Sequence, residues 1–271
     1  MQIMVNEKLR EFPDHYRLFQ VRDTVAPKAD LIICNGITTD RDQLLDGTER
    51  IVLIQRGAQP DGDELEALLL ARHTPEVHLP LKNAKVGIAG VGGLGSAIAI
   101  ALMRCGIGHL VMADYDIVEP SNLNRQHYFL DQIGQQKVDA LSDTLRRINP
   151  FSTLECETIT LDKDNIPTLF SEVDVMVEAF DCPEAKAMLS QCWLRTFPHK
   201  PLVAASGMAG YGPSNSITTR HALGNLYICG DGTTAVQPGT GLMAPRVGIA
   251  AHHQANTVIR LLLGIDPIEE N

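Results

Sequence analysis

The sequence predicts an α/β chain whose main part is a Rossmann-like parallel sheet, preceded by a small β-grasp-like (ubiquitin-like) module. Two patterns carry this reading. From Lys85 the order is an apolar run, a glycine-rich turn, a long apolar helix and a second apolar run, the way a βαβ unit opens. Before residue 58, short apolar runs are instead split by turn dipeptides, with room for one helix among them.

The elements follow in order. Residues 3–5 precede the turn-prone Asn6-Glu7-Lys8, residues 31–34 end at Asn35-Gly36, and residues 51–54 follow Asp46-Gly47. Each reads as a strand. Residues 18–28 fit one helix, which Pro27 ends. The module therefore spans residues 1–57. Residues 58–82 are a linker and helix, with Leu65, Leu68, Leu69 and Arg72 at helical spacing. Residues 83–271 make the large domain. In it, residues 86–89 and 109–113 are expected as buried strands around a helix over 97–105. Residues 131–148 read as a helix presenting Val138, Leu141, Leu145 and Ile148 on one face, closed by Pro150. Residues 173–179 and 201–205 read as further strands, 206–240 as a crossover loop, and 245–263 as a long helix stopped by Gly264.

Composition narrows the function classes. Hydrophobic residues are 44% and charged residues 21% of the 271, as in ordinary globular proteins. A net charge of −10 and 5% aromatics argue against nucleic acid as a partner. No apolar run approaches the roughly 20 residues that span a bilayer. The first residues alternate and carry charge, unlike a signal peptide. The six cysteines include no C-x-x-C pair, so structural zinc is not expected and a reduced, cytoplasmic setting is.

Gly90-Val91-Gly92-Gly93-Leu94-Gly95 fits G-x-G-x-x-G and lies between a strand and a helix. Glycines there let backbone N–H groups approach a phosphate, and the helix N-terminus adds partial positive charge. Asp114 ends the next strand about 20 residues further on, where an acidic residue binds ribose hydroxyls. A glycine-tight turn and a solvated strand-end aspartate are the plain alternatives. These two features do not separate NAD from ATP.

The next segment does. Asp114-Tyr115-Asp116 is followed by Ser121-Asn122-Leu123-Asn124-Arg125-Gln126, then Gly134-Gln135-Gln136-Lys137 and Arg147-Ile148-Asn149-Pro150. Over residues 80–264 this resembles the ThiF/MoeB/E1 adenylating family, whose hallmark is a glycine loop, a D-x-D strand end and S-N-L-x-R-Q in that order. The chemistry suits the residue types. A carboxylate must attack the α-phosphorus of ATP although both are anionic, so positioning and positive charge are what a protein supplies.

The resemblance implies roles. Asp114 and Asp116 lie at the nucleotide, with Asp114 the ribose ligand. Asn122, Arg125 and Lys137 contact phosphates, and Asp181 is linked to Mg²⁺ on the leaving pyrophosphate. Arg72 is a loose match to an arginine that reaches the neighbouring subunit's ATP site in a homodimer, a helix-surface residue being the equal alternative. At Asp181 the family's C-T-D-N is replaced by Ala179-Phe180-Asp181-Cys182. Cys229, alone in the expected crossover loop, is either a sulfur-relay thiol or an inert one. Residues 1–57 are similar to a ThiS-type sulfur carrier, but the chain runs on through Gln55-Arg56-Gly57-Ala58 and offers no free carboxylate there. The resemblance thus implies an ATP-dependent adenylyltransferase acting in trans on the C-terminal glycine of a ThiS-like carrier, near thiamin thiazole synthesis. A tRNA threonylcarbamoyl-adenosine dehydratase, an NAD(P)-linked oxidoreductase and an idle nucleotide- or carrier-binding scaffold are the alternatives.

Overall fold

The computed structural model describes residues 1–269, so the last two residues of the expected 83–271 domain lie outside the described residues. The chain divides into two compact units, Met1–His78 and the remainder from Leu79.

In the first unit, β1 (Gln2–Val5), β2 (Lys8–Glu11), α1 (Leu18–Val25), β3 (Leu31–Cys34), β4 (Ile37–Thr39) and β5 (Arg50–Ile54) follow one another. The sheet order is β2-β1-β5-β3-β4. β1 and β5 pair in parallel at its centre and the other pairs are antiparallel. Leu18 and Val21 of α1 close onto Ile3, Val5, Ile51 and Leu53 of the sheet. This is the β-grasp arrangement the turn dipeptides predict. Gly57 turns with φ +83°, and α2 (Gly62–His73) begins with Asp61 accepting from the Glu64 N–H, a capping box. α3 (Pro75–Asn83) follows.

The larger unit runs β6 (Lys85–Ala89), α4 (Gly93–Arg104), β7 (His109–Ala113), α5 (Lys137–Ile148), β8 (Thr153–Glu157), α6 (Ile166–Leu169), β9 (Val175–Glu178), α7 (Pro183–Thr196), β10 (Leu202–Ala205), β11 (Thr218–Leu223), β12 (Leu226–Gly230) and α8 (Ala244–Leu262). The seven strands order as β11-β12-β10-β9-β6-β7-β8. All neighbours are parallel except β11, which pairs antiparallel with β12. The central strands are apolar on both faces, as a helix-covered parallel sheet requires. α4 packs against α5 and α8, α6 and α7 pack together, and both α7 and α8 reach β9 and β10. Phe170, Leu189 and Trp193 fill the core with Ala89, Val111 and Met176.

Two expectations are corrected. The helix expected over 131–148 begins only at Lys137, because Gly134 takes φ +88° and residues Leu130–Gln132 form a separate 3-10 turn. The expected loop over 206–240 contains the β11–β12 hairpin, and Cys229 sits on β12. β8 and α7 were not legible, β8 because its two glutamates (Glu155 and Glu157) mark an edge strand rather than a buried one.

Candidate active site

Strand order reverses between β6 and β9. β7 and β8 extend the sheet one way, β9, β10 and β12 the other. Open parallel sheets bind ligands outside the carboxyl ends of the strands at such a switch point. Here that place is a cavity of about 830 Å³, within the range of small-molecule sites.

One wall is the glycine turn. Gly90, Gly92, Gly93 and Leu94 line the cavity, with Gly92 as the N-cap of α4. Gly90 has φ +86°, and a Cβ there would stand 3.0 Å from the Ala179 carbonyl oxygen. A Cβ on Gly95 would meet the Gly90 oxygen at 1.9 Å. Gly95 does not line the cavity; it lets α4 seat against the turn, so the helix's first N–H groups face the cavity.

Asp114 ends β7. Its Oδ2 accepts from the Val91 N–H at 2.8 Å and its Oδ1 from the Asp116 N–H at 2.9 Å. Burial pushes its carboxyl up, while those two bonds and nearby Lys137 pull it back. Asp114 is therefore first a brace for the glycine turn, with its free lone pairs on the cavity wall.

Lys137 opens α5 with its side chain 7% exposed, and its Nζ lies 2.8 Å from Asp116 Oδ2. Arg125 follows the 3-10 turn Pro120–Asn122 and lines the same cavity. Its Nη1 donates to Ser121 O at 3.1 Å and Asn124 Oδ1 at 2.9 Å. Among the described residues no carboxylate pairs with it, so its charge is not neutralised. Asp181, exposed just beyond β9, also lines the cavity.

One expected residue is not on the wall of this cavity. Asn122 is 6% exposed and off the cavity wall. Its Oδ1 accepts from the Glu119 N–H and its Nδ2 donates to Ser121 Oγ. It caps the turn that delivers Arg125. Arg72 is exposed on α2, in the first unit. Cys229 is fully buried beside Thr219 and Thr257, and burial pushes its thiol up. That environment suits an inert thiol.

The sequence reading missed several supports. The Tyr128 hydroxyl donates to the Val91 carbonyl at 2.7 Å, with the Lys137 carbonyl at 3.3 Å. It ties the glycine turn to the start of α5, and burial together with Asp114 and Asp116 pushes its phenol up. Lys186 donates to both oxygens of buried Glu178, at 2.9 and 3.0 Å, and to the Ala205 carbonyl. Burial pushes the Glu178 carboxyl up and the Lys186 charge opposes this. The pair joins the ends of β9 and β10 beside Asp181. Tyr128 was two residues past the motif; no local signal links Glu178 to Lys186.

A parallel sheet with a glycine-turn phosphate site at its switch point, ringed by an unpaired arginine and a buried lysine, defines a nucleotide-binding α/β protein equipped to hold polyanions. Residues 66–271 match the ThiF family and residues 1–57 match ThiS-like ubiquitin. The chain belongs to the ThiF family.

It is 33% identical over 193 residues to the molybdopterin-synthase adenylyltransferase of Escherichia coli (strain K12), covering 68% of this chain and 75% of that one. It is 29% identical over 196 residues to the adenylyltransferase and sulfurtransferase UBA4 of Eremothecium gossypii, covering 70% of this chain but 44% of the relative. The fold is similar to that of E. coli tRNA N6-threonylcarbamoyladenosine dehydratase, TcdA, in complex with ATP. There the TM-score is 0.68 and identity 20%, over 76% of this chain and 98% of that one. At that identity the likeness speaks for the fold alone.

Among the described residues no helix is long and apolar enough to cross a membrane, and the six cysteines are free.

Proposed function

We propose that this chain is an ATP-dependent adenylyltransferase that activates the C-terminal glycine carboxylate of a ThiS-like sulfur carrier. The observation that carries it is the convergence of the glycine turn, Arg125, Lys137 and Asp181 on one cavity. The adenylyltransferase names of relatives up to 33% identical support it.

The reaction follows from the charges. A carboxylate oxygen attacks the α-phosphorus, the bond from that phosphorus to the bridging oxygen breaks, and pyrophosphate leaves with the electron pair. No proton needs to move. N–H groups at the start of α4 hold phosphate oxygens. Arg125 offers a planar fork to the charge that builds in the transition state, and Lys137 a point charge released from Asp116. Asp181 would hold Mg²⁺, an ion that binds through one or two carboxylates plus phosphates and here would neutralise the leaving group. Asp114 would meet the ribose.

The first unit is a carrier-like module that serves regulation, dimer contacts or placement of the true carrier, and without cleavage it is not itself the substrate. β5 runs through the Gly57 turn into α2, so no terminal carboxylate exists there. In a homodimer, Arg72 would act in the partner's ATP site; mixed dimers of Arg72- and Arg125-defective chains should then regain activity. A cytoplasmic place near thiamin thiazole synthesis completes the proposal.

ATP–[³²P]pyrophosphate exchange tests it. Exchange that depends on an added Gly-Gly-ended carrier is expected. Exchange that depends on tRNA would favour the dehydratase reading. Nucleotide binding without any exchange would leave a scaffold.

A further inference from the structure

Two segments of the cavity wall follow β10 and β12, residues 206–209 and 232–236. Neither is a helix or a strand. One pair of side chains ties the second segment to residues 212–216, which continue the first. Asp231 Oδ1 accepts from the N–H groups of Thr233 at 2.9 Å and Thr234 at 2.8 Å. Its Oδ2 accepts from the Thr234 hydroxyl and, at 2.6 Å, from Arg246 Nη2. Arg246 comes from the first turn of α8 and is 4% exposed. Its Nη1 donates to the carbonyls of Gly212 and Pro213, both at 2.9 Å, and its Nη2 also to Ser216 Oγ at 3.1 Å.

Backbone bonds close the arrangement. The Asp231 N–H donates to Gly207 O and the Gly232 N–H to Ser206 O, each at 2.9 Å. Gly207 has φ +77°, and a Cβ there would meet Asp231 Oδ1 at 2.1 Å. The two segments therefore touch with no side chain between them.

Such a buried pair adds little net stability over an apolar packing; what it supplies is a fixed arrangement. Burial pushes the Asp231 carboxyl up, but the Thr234, Thr233 and Arg246 donors outweigh this and hold it well below the usual carboxylate range. The ion pair thus persists at any working pH.

Its place in the sheet says which reactant it serves. The glycine turn and Asp114 follow β6 and β7, whereas the braced segments follow β10 and β12, across β9. From β7 to β12 are four strand spacings, roughly 19 Å in all. A nucleotide with its ribose at β7 and its phosphates at the glycine turn leaves the β10–β12 side to the second reactant. We infer that Asp231 and Arg246 are a positioning pair for the carboxyl donor, setting the wall along which its C-terminal segment lies without touching the nucleotide. This rests on the adenylation reading above.

The test uses the full chain and one recombinant ubiquitin-like carrier ending in Gly-Gly. Wild type, Arg246→Ala, Arg246→Lys and Thr234→Val are compared by pyrophosphate exchange, by ATP affinity alone, and by amide hydrogen exchange over residues 206–216 and 231–236. Arg246→Ala is expected to raise KM for the carrier about tenfold or more while ATP affinity stays within about twofold. Arg246→Lys keeps the charge but loses the fork, and should recover part of the loss. Thr234→Val removes one hydroxyl donor and should raise KM about threefold. The amides of Thr233 and Thr234 should exchange faster in Arg246→Ala, and those of the glycine turn should not.

An unchanged carrier KM, or a carrier KM and ATP affinity that worsen together, would overturn the inference. If Arg246→Ala does not fold, Arg246→Lys and Thr234→Val decide by the same criteria. A wild type that shows no carrier-dependent exchange sinks the adenylation reading; the pair is still judged then, because unchanged amide protection in the variants overturns it separately.

Discussion

Lys137 Nζ lies 2.8 Å from Asp116 Oδ2, with the lysine side chain 7% exposed and the aspartate 46%. The two ends of this ion pair therefore sit in different solvents. The ammonium is fixed at the cavity wall, and the carboxylate is free to rehydrate when a phosphate draws the ammonium away. Replacing Lys137 by Ala leaves Asp116 half in water, so the stability cost should be only about 1 kcal/mol. Carrier-dependent pyrophosphate exchange should fall by about 100-fold. Urea unfolding and exchange rates on the same samples check both.

Arg125 predicts the same split between stability and activity, with a still smaller stability cost. It is half-exposed and bonded only to its own turn. Arg125→Ala should change unfolding free energy by no more than about 0.5 kcal/mol. It should cost about 10²–10³ in kcat if the guanidinium meets the transition-state charge. A fall below threefold would remove Arg125 from the chemistry.

Gly95→Ala tests the seat of α4. The added Cβ would stand 1.9 Å from the Gly90 oxygen, which only backbone movement can relieve. A loss of about 1–3 kcal/mol is expected, along with weaker ATP binding because the turn and the helix N-terminus move apart. Gly248→Ala is the control. Nothing lies within 4 Å of its Cβ position inside α8, so helix propensity should make it stabilising by about 0.5–1 kcal/mol. Thermal unfolding of both variants, with ATP titrations, gives the answer.

Asp231 gives a pH dependence. Its folded-state pKa is depressed, so its stabilising contribution is fully present above the unfolded value of about 3.9 and is lost as pH falls towards the lower, folded one. Asp231→Asn should therefore be less stable than wild type at pH 7, and the gap should narrow steadily below about pH 4. A gap independent of pH would mean that the loss came from packing alone.

Much of this protein was readable in one dimension. The glycine turn announced itself because a close phosphate approach demands residues without side chains between a strand and a helix. The small first sheet was legible because Asn35-Gly36 and Asp46-Gly47 punctuate apolar runs. Asn122 shows where a local reading stops. An asparagine in a polar loop fits a phosphate contact and a turn cap equally well, and only the 3-10 geometry shows that the Glu119 N–H has taken its oxygen. The β11–β12 hairpin was hidden because Thr218 to His221 are polar on an edge strand, where burial imposes no alternation.

The residue order alone determined the Rossmann-like sheet, the carrier-like module and the cationic motif, because each rests on neighbours within a few turns of chain. Tertiary structure decided which of those residues share a cavity and which support it. Lys186 of α7 finds Glu178 at the end of β9, and Arg246 of α8 finds Asp231 just past β12, because each helix packs back onto the sheet it has just left. A buried charge must find its partner in space, and the distance that matters to it is not measured along the chain.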